Sequence, residues 1–390
     1  MVRLNPMKST DKDRHVFRIF GNLEAYKHEK DSDNISHGLQ KQEDPLSLDF
    51  FQKWVDEMAA PFKFELKDLI WSSNFRINER IANSFRRGRA FLIGDSAHCH
   101  SPFGGQGMNM GLQDADNLAW KLSYVLRGIA TDSERLLDSY NAEREPRVKA
   151  TIKATSVSTE TATSASPLMA SMRFALMSMI LKIPQIRTKI YKTVMQQDIT
   201  IDPKIEGCIL GTSDKSLIQP GQFLPDTGNL RPVLIQHNGA LQRKTLREIL
   251  IGQQNLSAIY IGTCPGASTP NRELLEKFWI ATRRYSKCIH RLVIQSLWYS
   301  HLSNTLPEFV SEDEKLSEQN SFWCEERIDN PISLTNRVGL YSWLMSYTAS
   351  AIAPAVILIV RPDLYVVQAR LVSNENELNS ALAYFTTIIT

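Results

Sequence analysis

Residues 89–122 constrain this chain more than any other stretch. A short apolar strand, Ala90 to Ile93, is followed by Gly94 and Asp95, then by a polar loop that closes at Pro102. Four glycines, Gly104, Gly105, Gly107 and Gly111, lead from there into a long amphipathic helical pattern. A helix start presents unpaired backbone N–H groups and the positive end of the helix dipole, so an electron-rich ligand is favoured there. Glycines let a planar ligand approach the backbone closely, and Asp95 at the strand end can accept hydrogen bonds from a sugar or polyol hydroxyl. The stretch reads as a cofactor cradle. The alternative is a strand–turn–helix packing element that has outlived its ligand.

The helix after Gly107 is expected to bury one stripe, Met108, Leu112, Ala115, Ala119, Leu122 and Leu126, because these positions step by four, three, four, three and four. Asn109 lies in its first turn, within reach of a ligand at the N-terminus. Asp116 and Asn117 read as surface or supporting residues, and Gly128 stops the helix.

The remaining composition excludes several function classes. The 390 residues suffice for two domains, and 43% hydrophobic with 22% charged residues is ordinary for a globular chain. A net charge of +3 provides no global field that would point to nucleic acid. The cysteines, Cys99, Cys208, Cys264, Cys288 and Cys324, form no Cys-x-x-Cys pair, so neither a structural zinc nor a dithiol centre is indicated. Reduced thiols and a cytoplasmic setting are expected. No segment has the roughly 18 apolar residues of a membrane span; Leu168 to Ile183 is interrupted by Arg173 and Lys182. His98 and His100 lack an accompanying carboxylate array, so no metal and no acid/base role is assigned to them.

Elsewhere, residues 15–20 predict a strand in which Arg18 either binds a substrate anion or reaches solvent from an edge. A helix is predicted from an Asp44 cap to Pro61, and strand with connection over Phe64 to Asn78. Arg80 and Arg86 face a cofactor diphosphate or are solvated loop charges. Residues 150–166 continue as helix, and 168–196 form a methionine-heavy helical stretch suited to a lipophilic pocket or to core packing. Turn residues over Gln219 to Gly228 mark the start of a second, α/β domain. Its candidate strands are 232–235, 257–261, 291–294, 355–360 and 364–369, the last two forming a hairpin at Arg361-Pro362-Asp363, with a closing helix over 375–385.

The central stretch resembles the flavin-dependent aromatic monooxygenases, in particular the phenol-hydroxylase-like branch of the p-hydroxybenzoate-hydroxylase fold. Gly94, Asp95 and Pro102 match the Gly-Asp-x6-Pro motif of that family without a gap. Gly104 to Gly111, Asp114-Ala115 and Asn117 to Leu122 extend the match, with Leu137 to Tyr140, Glu143-Arg144 and Pro146 flanking it. Gln219-Pro-Gly221 with Pro225, and Val360 to Val366, resemble the thioredoxin-like C-terminal domain of phenol hydroxylases. The resemblance implies an α/β (α+β) fold: part of an FAD-binding and substrate domain over 1–205, then a thioredoxin-like domain over 206–390. It implies FAD as cofactor, NAD(P)H as reductant, and hydroxylation or epoxidation of an aromatic or lipophilic small molecule. It also implies roles. Asp95 would bond the ribityl chain, Pro102 would pack beside the reactive edge of the flavin ring, and Gly105, Gly107, Met108 and Asn109 would hold its pyrimidine end.

One part of the pattern is missing. No Gly-x-Gly-x-x-Gly turn occurs in the 390 residues, so no segment is identified for the ADP half of FAD. Three readings follow: a truncated or split monooxygenase completed by another polypeptide, a non-redox cyclase or isomerase on the same fold, or a non-catalytic partner of a full-length homologue. An exposed sheet edge left by a missing segment would favour a homo-oligomer or such a heteromeric pairing.

Overall fold

The computed structural model describes residues 3–7, 16–20, 47–72, 79–100, 105–163, 167–194, 199–233, 243–263, 269–296, 309–310, 321–325, 330–345 and 354–389. Two compact units are present, residues 1–77 and 78–390.

The first unit holds β1 (Arg3–Met7) and β2 (Val16–Phe20), antiparallel from Arg3 opposite Phe20 to Met7 opposite Val16. The strand expected at 15–20 is therefore present, and Arg18 stands opposite Asn5. Helix α1 (Leu48–Ala59) begins three residues later than expected because Ser47, not Asp44, caps it, its Oγ accepting from the Phe50 N–H at 3.2 Å. Asp44 and Pro45 lie outside the described residues. The strand expected from Phe64 is absent through Ser72. There the Gln52 side chain bonds the backbone instead, donating to the Phe64 carbonyl at 2.7 Å and accepting from the Leu66 N–H at 2.8 Å.

The second unit is built on a mixed six-stranded sheet. Strand β8 (Leu256–Thr263) connects through α7 (Thr269–Arg283) to its parallel neighbour β9 (Ile289–Ser296). On the other side of β8 lies antiparallel β11 (Ala355–Val360), hairpinned to β12 (Val366–Val372), with α10 (Glu375–Leu382) and α11 (Tyr384–Ile388) closing the chain. Strands β10 (Phe322–Glu325) and β7 (Arg231–Pro232) extend the β9 edge, giving the order β12-β11-β8-β9-β10-β7. Continuous Val/Ile/Leu runs such as Ala355–Val360 are the pattern of strands covered on both faces.

Alternate residues of these strands serve two cores. Tyr260, Val293, Ile357 and Ile359 pack with Phe278 and Trp279 of α7 on one side. Ile259, Leu292, Val356 and Leu358 pack on the other with Leu246 and Leu250 of α6 (Leu246–Leu250) and with α8 (Leu334–Arg337) and α9 (Leu340–Met345). Sequence reading finds β8, β9, β11, β12 and the hairpin, and misses β10, a four-residue strand with no alternation to mark it.

Ahead of the sheet come α2 (Gly107–Leu126), α3 (Ser133–Thr163, with Pro146 inside it), α4 (Pro167–Ile180) and α5 (Pro184–Val194). α2 ends as expected, with Gly128 at φ +67 just past the helix. Trp120, Tyr124 and Leu136 enter the first sheet core. The Tyr124 hydroxyl also donates to the Cys288 carbonyl at 2.9 Å and accepts from the Leu256 N–H at 2.7 Å, tying α2 to the start of β8. Among the described residues no helix is long and apolar enough to cross a membrane.

One expectation fails clearly. Most of the stripe on α2 that the spacing marks as buried lies at the surface, with Met108 75% exposed, Leu112 62% and Leu126 84%, while Leu122 is half-buried against the cluster of Phe85, Met110 and Leu118. The inward face carries Met110, Asp114, Asn117, Leu118, Lys121 and Tyr124 instead. The reason is ionic, and it also organises the candidate site.

Candidate functional site

Four short strands set the stage for α2. Strands β4 (Arg86–Arg87) and β5 (Ala90–Phe91) form a tight hairpin through Gly88, whose φ of +59 suits a residue without Cβ. β3 (Arg80–Ile81) pairs with β6 (His98–Cys99). Between β5 and β6 the chain makes a single 3₁₀ turn, Gly94–Ser96, so the acid expected at the strand end stands on that turn and is exposed.

The turn rests directly on α2. Gly94 has φ +55, and a Cβ added to Gly111 would lie 3.4 Å from the Gly94 Cα, so two glycines allow backbone to meet backbone. Asp114 fixes this arrangement. Fully buried, it accepts from the Gly94 N–H at 3.1 Å, from His98 Nε2 at 2.7 Å and from Arg144 Nε of α3 at 2.7 Å. Burial acts to raise the Asp114 carboxyl pKa, but the His98 and Arg144 contacts and the Gly94 N–H outweigh it and hold the group below the usual carboxylate range. Arg144 continues through Nη2 to the Met110 carbonyl at 3.3 Å and Gln113 Oε1 at 3.2 Å. From the same helix, the Tyr140 hydroxyl donates to the Leu92 carbonyl at 2.8 Å, and Asn141 Oδ1 accepts from the Phe85 N–H at 2.7 Å.

The α2 N-terminus is electrostatically open. Among the described residues no side chain caps it, and its first turn contains no acidic residue. A Cβ at Gly107 would come 3.2 Å from His100 Nε2, a tight contact to which the His100 side chain would have to yield. Of the sequence-predicted residues, Gly94 and Asp95 lie on the turn, Gly105 (φ +63) just before the helix, and Gly107, Met108 and Asn109 in its first turn. The Gly94–Gly111 approach brings the two groups together. Pro102 lies outside the described residues. Uncapped N–H groups, glycine backbone and an exposed carboxylate are a donor and acceptor set that fits the ring and polyol part of a flavin.

A second buried network holds the other half of α2. Glu143 of α3 pairs with Arg361 through two bonds of 2.8 and 2.9 Å, and accepts from Lys121 Nζ at 2.9 Å and Asn117 Nδ2 at 2.8 Å. Asp363 accepts from Arg361 Nε at 2.9 Å and from the Trp120 indole N–H at 3.3 Å. Burial draws Lys121 down to about 8 despite Glu143 beside it. Against its own burial, Glu143 is held far below the carboxylate range by Arg361 and Lys121.

These networks correct two readings. Arg86 does not await a diphosphate, because its side chain is buried against Glu134 at 2.6 Å and Asp138 of α3. His98, set aside on sequence, is a structural partner of Asp114. Asp114, Glu143, Arg144 and Arg361 carried a signal only as parts of the family-like motifs; Asp114 meets Arg144 30 positions away and Glu143 meets Arg361 218 positions away, beyond any local pattern.

An open cavity of about 580 Å³ lies further along α2, lined by Leu112, Ala115, Asp116, Ile199, Ile201 and Phe223 among others. It is distinct from the helix N-terminus.

Comparison with known proteins agrees with the geometry. Residues 36–155 match the FAD binding domain model. A flavin-dependent monooxygenase of Mycobacteroides abscessus is 48% identical over 101 residues, 26% of this chain and 21% of that protein. The 6-methylpretetramide 4-monooxygenase of Streptomyces rimosus is 58% identical over 76 residues, 20% of this chain and 13% of that protein. The chain thus matches about a fifth or less of the length of these curated relatives. Among solved structures, BexE superposes with a TM-score of 0.57 at 21% identity, covering 99% of this chain and 59% of that one. The anhydrotetracycline hydroxylase OxyS of Streptomyces rimosus gives 0.54 at 20% identity, covering 89% and 54%. The segment matching the FAD binding domain is thus similar to the corresponding part of flavin-dependent aromatic monooxygenases, and the fold is shared with BexE and OxyS.

Proposed function

We propose that this polypeptide supplies the flavin-ring half of an FAD-dependent monooxygenase that hydroxylates or epoxidises an aromatic or lipophilic small molecule. The observation that carries the reading is the uncapped, acid-free N-terminus of α2 packed glycine to glycine against the Gly94–Asp95 turn, within the residues matching the FAD binding domain. Bound FAD would supply the oxygen-transfer chemistry, with NAD(P)H as reductant. The chain's own residues position and polarise. The backbone N–H groups of Gly107, Met108 and Asn109 offer donors and a positive helix end to the electron-rich edge of the ring. Asp95 would receive polyol hydroxyls, and Asp114 with Arg144 and His98 keeps the turn at its distance from the helix. Because the 390 residues contain no Gly-x-Gly-x-x-Gly turn, the ADP half is assigned to polypeptide outside them.

The domain assignment that goes with this reading is an FAD-binding and substrate part over 1–205 and a thioredoxin-like domain over 206–390. The β8-α7-β9 unit followed by the β11-β12 hairpin and α10, in strand order β12-β11-β8-β9, supports it. A cytoplasmic setting accords with the free thiols of Cys99, Cys208, Cys288 and Cys324.

Titration of the purified chain with FAD, read by flavin absorbance and fluorescence, tests the proposal. Saturable binding that weakens in Asp95→Ala is expected. Absence of binding, both alone and with a glycine-rich nucleotide-binding segment of a relative added in trans, would overturn it.

A further inference from the structure

We propose that α4 and α5 form a docking surface for an anionic phospholipid membrane, a role separate from the flavin reading and independent of it. The helices are unusual in what they leave in water. Met172, Leu176, Met177 and Met179 of α4 are all exposed, as are Ile183, Ile186 and Tyr191 in the following turn and α5. Successive exposed positions such as 176, 177 and 179 point in different directions around the helix axis, so the apolar surface of α4 is not a single seam. A helix apolar on several sides is normally buried; the described side chains of α4 from Ala175 to Met179 are exposed. Scattered exposed apolar residues are unremarkable, but a continuous patch marks an interaction surface.

Charge indicates what covers it. Residues 161–197 contain Arg173, Lys182, Arg187, Lys189 and Lys192 and no Asp or Glu, in a chain whose whole net charge is +3. Lys182, Arg187 and Lys189 are exposed. On α5 Ile186 and Ile190 share one side, Arg187 and Lys189 flank it and Lys192 lies on the far side, so cations border the apolar side as on a helix lying in a membrane interface. A protein partner packs against one face; hydrocarbon contacts whatever side is apolar, and anionic headgroups match the acid-free cluster of cations. At 14 residues α4 is too short to span a bilayer, so the surface lies on the membrane and does not cross it. Methionines, flexible and polarizable, suit a disordered lipid layer.

Cosedimentation of the purified full chain with vesicles tests the proposal, comparing phosphatidylcholine alone with phosphatidylcholine mixed with phosphatidylserine. Pelleting with the mixed vesicles only, reversed by high salt, is expected. The triple variant Lys182→Glu, Arg187→Glu, Lys189→Glu should bind roughly 100-fold more weakly. Leu176→Ser with Met179→Ser should also weaken binding at unchanged net charge, which charge attraction alone would not produce. All these positions are exposed, so the variants should keep the wild-type circular dichroism. Failure to pellet with anionic vesicles would overturn the proposal. So would equal binding to both vesicle types, or a concentration-dependent dimer dissociated by Leu176→Ser, which would make a second copy the cover.

Discussion

The two interiors of the second unit are built on opposite principles. The sheet β7–β12 is held by hydrocarbon: every residue of β11 is buried and all are aliphatic. The seam where α2 meets α3 and the β11–β12 hairpin is held by charge, with Asp114, Lys121, Glu143, Arg144, Arg361 and Asp363 all buried. Hydrophobic packing is roughly proportional to area and tolerates exchange of similar shapes. A buried ionic seam is all or nothing, since each charge depends on its partner to offset desolvation. The difference explains why the candidate site sits on the ionic side. Under the proposed function, a turn that holds a ligand is better fixed by directional bonds than by adaptable packing.

The largest expected effects break the seam. Arg361→Met leaves Glu143 and Asp363 buried without their shared cation, and should cost about 3–5 kcal/mol in urea unfolding. Adding Asp363→Asn to that variant should recover part of the loss, because Glu143 then balances Lys121 and no second carboxylate is left without a cation. In the sheet, Leu358→Ala should cost about 2–5 kcal/mol, and a second truncation in the same core should add to the loss. If the double variant Arg361→Met, Asp363→Asn were no more stable than Arg361→Met alone, the contrast between the two interiors would fail.

Asp114→Asn is the next step down, at about 3 kcal/mol, since His98 and Arg144 lose their anion while shape is kept. The same substitution should loosen the Gly94 turn. It should therefore weaken FAD binding beyond what Asp95→Ala does, if the turn's distance from α2 matters more than any one contact.

The seam should also give stability a pH signature that the sheet lacks. Lys121 has its folded pKa drawn from 10.5 down to about 8, so between those values the unfolded chain binds more protons than the folded one. Stability attributable to this group therefore rises with pH across that window, by up to about 3 kcal/mol. Glu143 works at the acid end: its folded pKa is depressed, so its contribution is present above the ordinary carboxylate value and is lost as pH falls. Comparing wild type with Lys121→Met between pH 8 and 10.5 isolates the lysine, and parallel curves would mean that it is not buried as a cation.

Legibility in the sequence divides along the same line. Strands β8, β9, β11 and β12 and helices α3 and α7 follow from local hydrophobic runs and caps, and the glycines of the cradle declare themselves through spacing. Ser47 displaced Asp44 as the cap of α1 because two good caps stood three residues apart. What could not be read was the orientation of α2. Its apolar positions keep helical spacing, yet the inward face is the one whose Asp114 and Lys121 find partners on α3, up to 30 residues on, and whose Asn117 finds Asp363 far beyond. Periodicity reports which residues share a face; it does not report which face meets a distant charge.

The outward stripe supplies the smallest and most discriminating effect. Leu112 is 62% exposed beside the cavity that Ile199, Ile201 and Phe223 line. Leu112→Ser should therefore change the stability of these 390 residues by no more than about 0.5 kcal/mol, as at ordinary surface positions. Under the proposed function, the exposed apolar positions of α2 are available to polypeptide that binds the ADP half of the cofactor. If a glycine-rich nucleotide-binding segment added in trans packs on that stripe, Leu112→Ser should weaken its association while leaving the unfolding curve of the isolated chain unmoved. A large loss of stability in the isolated chain would instead mean that the apolar stripe faces inward and that the ionic face has been assigned to the wrong side of α2.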